Sequence, residues 1–177
     1  MLKSGIFGAE RTISRGGDVI RADYLSADEV ARLMKWLKPT TARVCALMMA
    51  TGLRVGDVVD LPTKKLSQRM SVREKKTGKT RRVYIRRALY ADLKRNAGSV
   101  WLFPSRDGHI TRQTVYNHIK RAVRVSGVKK NATPHSFRKV YAVTKYHRYG
   151  LATTARLLNH DNITTTLLYC LADQVKI

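Results

Sequence analysis

The chain has 177 residues, 44% of them hydrophobic, and carries 35 Lys and Arg against 12 Asp and Glu, a formal net charge of +23. That length supports one domain with a core, or one domain and an arm, and the apolar fraction excludes a wholly disordered chain. A compact domain this basic repels itself unless it meets a polyanion, so nucleic acid is the expected partner and an anionic membrane surface a distant second.

Residues 1–22 combine Gly5, Gly8, Gly16 and Gly17 with Lys3, Arg11, Arg15 and Arg21 and show no apolar period. They read as a flexible basic arm ahead of a single domain at 23–177, with no apolar run long enough for a signal peptide. Such an arm either frays or lies along DNA phosphates or a neighbouring subunit. From Ser26 the pattern turns helical: Ser26 is a good N-cap, Asp28 and Glu29 follow in the first turn, and Val30, Leu33, Met34 and Leu37 share a face. Pro39 is expected to stop that helix. Val44 to Leu53 is apolar almost all round and reads as a buried helix ending near Gly52. It falls well short of the roughly 20 residues needed to span a bilayer.

Pro62 closes a short segment, Val55 to Leu61. The period then changes, and Met70 to Lys75 and Arg82 to Ile85 read as strands joined through Lys76-Thr77-Gly78-Lys79. Arg87 to Asn96 is again helical. Thr111 to Val125 predicts a basic amphipathic helix ending at Gly127, with Val115, Ile119, Ala122 and Val123 on its apolar side. Arg112, Gln113, Lys120, Arg121 and Arg124 lie around the rest of it. They are candidate DNA contacts, though a solvated face touching only phosphates is an equal alternative. Thr133-Pro134 opens another helix, with Thr as N-cap and Pro at the first helical position. Helical turns over Leu151 to Leu158 and Thr164 to Leu171 follow. The expected fold class is mainly α with a small antiparallel β-sheet. Cys45 and Cys170 each sit in an apolar segment, as buried thiols of a reducing, cytoplasmic compartment do. No Cys/His spacing fits a zinc site, and neither metal nor cofactor is expected.

Four places carry chemistry. His135 and Arg138 stand three residues apart in the first turn of a helix, where free N–H groups and the helix dipole favour an anion. An ordinary surface pair is the simpler alternative. If residues 163–171 are helical, Ile163, Leu167, Cys170 and Leu171 form one stripe and Tyr169 faces roughly away from it. Arg54 lies between two glycines just past the buried helix and needs a partner. An internal ion pair with Asp57 or Asp60 is one explanation. Lys76 and Lys79 flank the turn Thr77-Gly78, where lysines usually point into solvent.

Taken in order, Arg54 in Thr-Gly-Leu-Arg, Lys76 in a β-turn, His135-x-x-Arg138, His160, and Tyr169 nine residues later resemble the tyrosine recombinase (phage integrase) family. The resemblance runs from about Leu25 to Leu171 and implies that family's catalytic-domain fold. It implies that Tyr169 attacks the scissile phosphodiester, giving a 3′-phosphotyrosyl link and a free 5′-hydroxyl. Arg54 and Arg138 then clamp the non-bridging oxygens and Lys76 protonates the leaving 5′-oxygen. His135 is a candidate base, and His160 donates a hydrogen bond to the phosphate. Lys79 joins the residues expected near DNA.

These residue types suit the reaction, since phosphodiester transfer needs a nucleophile, charge-stabilising donors and a proton source. A cationic site favours the phenolate of a tyrosine, whose pKa is otherwise about 10. No carboxylate cluster suits Mg²⁺, and a phosphotyrosyl bond conserves the energy for rejoining without ATP. The expected function is site-specific DNA recombination (integration, excision or inversion) by a homo-oligomer, a tetramer on paired sites, with accessory DNA-bending proteins as a further partner class. A type IB topoisomerase-like or resolvase-like strand transferase is a related alternative. A non-catalytic basic DNA-binding protein of the same fold is a different one. Three departures stand out: Asn159 where the family commonly has Gly, Asp57 where Glu is commoner, and only about 25 residues before the first helix, too few for the family's usual N-terminal helical domain.

Overall fold

A computed structural model describes residues 22–159 and 166–167. Its elements run α1 (Ala27–Trp36), α2 (Pro39–Thr51), α3 (Val55–Val59), β1 (Arg69–Arg73), β2 (Thr80–Tyr84), α4 (Arg87–Arg95), β3 (Pro104–Ser105), β4 (Gly108–His109), α5 (Arg112–Ser126) and α6 (Pro134–Leu157). The architecture is mainly helical with two small antiparallel hairpins, β1-β2 and β3-β4. The expected arm, apart from Ala22, and the turns after Asn159, apart from Thr166 and Leu167, lie outside the described residues, as do His160 and Tyr169.

Local chemistry accounts for the helix ends. Ser26 and Glu29 form a reciprocal capping box at α1. Pro39 is the first residue of α2 rather than only the stop of α1. The missing proline N–H is one that a helix start leaves unpaired in any case, so the two helices are separated by a two-residue joint. Helix α2 ends at Gly52, whose φ of 67° is left-handed, and a Cβ there would lie 2.4 Å from the Tyr141 ring. Glycine is therefore required both by the backbone and by the close approach of α6. Thr133 caps α6, and its own N–H is accepted by the Ser136 hydroxyl at 3.1 Å. Gly150, with φ 73° and ψ 176°, breaks α6 into two helical pieces, the second starting at Leu151 as the sequence predicts.

Among the described residues the core is one large cluster spread over most elements, with a smaller one of Tyr141, Ala142 and Leu158. Leu33 of α1, Val44, Leu47 and Met48 of α2, Val58 of α3, Leu93 of α4, Val115 and Ile119 of α5, and Phe137 of α6 are all buried within the large one. Helix α2 packs chiefly against α6 and also meets α3, α4, α5 and β2, while α1 packs against α5. The first hairpin is offset from the predicted strands. Its register pairs Met70 with Val83 and Val72 with Arg81, and Glu74 accepts the Gly78 N–H at 2.8 Å to close the turn. Met70, Val72 and Val83 point into the core, leaving Arg69, Ser71, Arg82 and Tyr84 on the outer face.

Candidate active site

The N-terminus of α6, the segment after α2, the β1-β2 turn and the start of α5 converge on one open cleft of about 570 Å³. Arg54, Lys76, Arg112, His135 and Arg138 all line it. Four residues expected to act together, from positions 54 to 138 in the chain, thus share a cleft with a fifth that was expected only to touch DNA. Gly56 lets Arg112 close in, since a Cβ there would meet the Arg112 Cδ at 3.2 Å.

Arg138 is the least exposed of the set, 1% accessible. Its guanidinium donates to the Gly52 carbonyl and, at 3.1 Å, to that of Leu158. Both carbonyls lie at helix C-termini, where the dipole is negative and a cation is favoured. The arginine thereby ties the end of α2 to the end of α6 while its head lines the cleft. His135 has an exposed edge but stands among Arg138, Lys139, Arg54 and Lys76. Partial burial first, and these positive charges second, push its pKa down to about 4. At neutral pH the imidazole is uncharged and one ring nitrogen can accept a proton.

Arg54 pairs with neither Asp57 nor Asp60, in contrast to the simplest expectation from the sequence. Its guanidinium bonds Glu74, a carboxylate 0% exposed at the end of β1. Asp57 instead accepts the Lys75 N–H at 2.9 Å, and Asp60 pairs with the Lys75 ammonium and with His109 at 3.4 Å. The two aspartates therefore hold the base of the hairpin whose turn presents Lys76. On the far side of Glu74, Arg81 faces it at 3.3 Å and donates to Thr51 O at 3.0 Å and to Leu157 O. Glu74 and Arg81 were not singled out from the sequence. The clue was their register: each occupies an inward-facing position beside Val72 and Val83, where a charge demands a buried partner.

The other candidates are spread more widely. Gln113 lies beside Arg112 in an adjoining recess with Tyr116 and Pro134, and its amide donates to Asn117 at 2.9 Å. Arg121 and Arg124 are exposed along α5, and Lys79 is exposed on the hairpin outside the cleft lining. Lys120 differs, being half-buried with its ammonium on Asn131 and over the Tyr116 ring at 5.6 Å. It braces the α5–α6 connection. Asn159 has φ 52°, the left-handed backbone that its side chain tolerates better than most. The turn leading toward His160 is thus made without glycine. Among the described residues no helix is long and apolar enough to cross a membrane.

The cleft is lined by three arginines, two lysines and a histidine, in a mainly helical domain with one core hairpin. The phage integrase family model matches residues 23–174, and the chain belongs to that family. It is 31% identical over 137 residues to the tyrosine recombinase XerD of Rhizobium meliloti, covering 70% of this chain and 44% of the relative. A tyrosine recombinase of Thermosipho africanus is 29% identical over 170 residues, covering 87% and 59%. The chain thus spans about half the length of these curated relatives. Among solved structures, a lambda integrase dimer bound to a COC′ core site aligns with a TM-score of 0.78 at 19% identity, covering 91% of this chain and 63% of that one. At that identity the likeness shows the fold.

Proposed function

We propose that this chain breaks and rejoins duplex DNA at specific sites through a 3′-phosphotyrosyl intermediate. The observation that carries this is the convergence of Arg54, Lys76, His135 and Arg138 on one cleft, with Arg112 added. Two arginines bracket a phosphate in that cleft and offset the charge that builds as a fifth oxygen approaches phosphorus. Tyr169 supplies that oxygen, by the family resemblance, and neutral His135 takes the phenolic proton. The P–O5′ bond breaks as the P–O(Tyr) bond forms, and Lys76 delivers a proton to the departing 5′-oxygen. His160 adds a hydrogen bond to the phosphate. Reversal of the same steps on a new 5′-hydroxyl rejoins the strand, and no external energy source enters the balance.

The same reading makes the partner a duplex, contacted along α5 by Arg112, Gln113, Arg121 and Arg124 and at the hairpin by Lys79. It makes the working form a homo-oligomer, a tetramer on paired sites, helped by DNA-bending proteins, acting in the cytoplasm. If roughly 6–10 phosphates are neutralised, affinity for a duplex falls about 10³–10⁵-fold between 50 and 200 mM salt. A titration showing a nearly flat salt response would remove DNA from the picture.

The direct test is a denaturation-resistant protein–DNA adduct on nicked duplexes drawn from DNA flanking the encoding gene. A band carrying the strand fragment that lies 5′ of the cleaved phosphate, joined through its 3′-phosphate, supports the reading. Binding without any adduct across the flanking sequences defeats it. Lys76→Ala is expected to slow adduct formation about 10²–10⁴-fold, the usual weight of a positioned acid. A duplex with sulfur in the 5′-bridging position restores the rate, because a thiolate leaves without a proton. No restoration would move the acid role away from Lys76.

A further inference from the structure

We propose that Glu74 is a positioning residue for strand cleavage, orienting Arg54 toward the scissile phosphate while holding the turn that presents Lys76. This rests on the strand-transfer reading above and adds to it a residue that does not touch the reacting atoms.

Glu74 is wholly buried at the junction of three parts of the site. One oxygen receives the Arg54 guanidinium and, at 3.3 Å, the Thr77 hydroxyl from the turn itself. The other faces Arg81 at 3.3 Å. The Glu74 main chain closes the hairpin in both directions, accepting from Gly78 at 2.8 Å and donating to Lys79 at 2.9 Å. Arg54 is itself still 26% exposed and lines the cleft. A guanidinium has five N–H donors in a rigid fork, so a bond from one nitrogen to Glu74 fixes the plane and leaves other donors for a phosphate.

Arg81 is the strut that keeps the carboxylate in place. It is 6% exposed and reaches the last carbonyl of α2, Thr51, and that of Leu157 at the end of α6. The carboxylate therefore stands on the same two helix ends that Arg138 joins through Gly52 and Leu158. A buried carboxylate between two guanidinium groups leaves a net positive charge in the cluster, which still attracts an anion. Without Glu74, Arg54 and Arg81 repel each other across a desolvated space and Arg54 loses its fixed direction.

The test uses the full chain and single-turnover adduct formation on a nicked duplex, with saturating protein, beside a separate measurement of duplex affinity and a thermal melt. Glu74→Gln keeps the shape of the side chain and removes its charge. It is expected to slow adduct formation roughly 10–100-fold while affinity changes by less than about threefold, because a misdirected donor costs the chemical step. In an Arg54→Ala background the same change is expected to cost clearly less than in the wild type, since of its two routes only the Thr77 contact in the turn remains to be lost. Glu74→Asp keeps the charge beside Arg81 but draws it back by one methylene, and gives the same rate-without-affinity loss if Glu74→Gln proves too unstable to assay. Wild-type cleavage rates in both variants overturn the proposal and leave the strand-transfer reading intact. So does an undiminished loss in the Arg54→Ala background, which marks a purely structural carboxylate. A wild-type chain that forms no adduct overturns both.

Discussion

Tyr169→Phe is expected to bind duplex DNA as the wild type does and to form no covalent adduct. The substitution removes one oxygen and leaves the ring, so the phosphate contacts proposed for Arg54 and Arg138 are expected to be retained. The phenylalanine ring offers no oxygen nucleophile. The loss is therefore complete rather than a slowing. It is read as the disappearance of a protein–DNA band that survives denaturation, with a mobility-shift assay alongside. An adduct retained in the Phe variant would move the nucleophile to another residue, and the cationic cleft would then need a different partner. Because the resemblance places Tyr169 beyond a left-handed turn at Asn159, the direction of the chain leaving α6 is part of the same claim.

Arg138→Ala is expected to cost both catalysis and stability. On the proposed role of a charge-stabilising donor, its removal should slow cleavage about 10²–10³-fold. The stability cost follows from its burial. The guanidinium satisfies the Gly52 and Leu158 carbonyls, and each buried acceptor left without a donor costs about 1–3 kcal/mol. The melting temperature should fall by several degrees, since about 1 kcal/mol corresponds to roughly 2–4 °C at this chain length. Arg138→Lys keeps the charge but not the fork, so one carbonyl at most stays satisfied and the rate recovers only in part. Duplex affinity should fall far less than the rate. A variant that melts like the wild type would mean the two carbonyls find other donors, and one that cleaves normally would make Arg138 a structural clamp alone.

Two of the cleft's three arginines, Arg54 and Arg138, illustrate different degrees of legibility. His135-x-x-Arg138 could be placed on one helix face from spacing alone, because Thr133-Pro134 marks the helix start and neighbours three apart share a face. Arg54 could be recognised as needing a partner, but the wrong acids were nearest in sequence. Asp57 and Asp60 are close along the chain yet are drawn to the Lys75 backbone and side chain. Glu74, 20 residues away, takes Arg54 because the hairpin folds back onto the end of α2. Lys120 likewise read as one of several basic residues on α5, and only its distance from Asn131 across the helix connection separates it from Arg121 and Arg124.

The sequence by itself determined the helix starts after Ser26 and Thr133, the helix end near Gly52, the mainly α class and the order of the reactive side chains. Those features depend on interactions spanning a few residues, where caps, turn geometry and apolar period act locally. Tertiary structure alone decided which charges meet: Arg54 with Glu74, Arg81 and Arg138 with the carbonyls of two helix ends, and Arg112 within the cleft. Ion pairing among many cations and few acids has numerous near-equivalent solutions along a chain. Burial selects among them, because a desolvated charge tolerates only the arrangement that satisfies it.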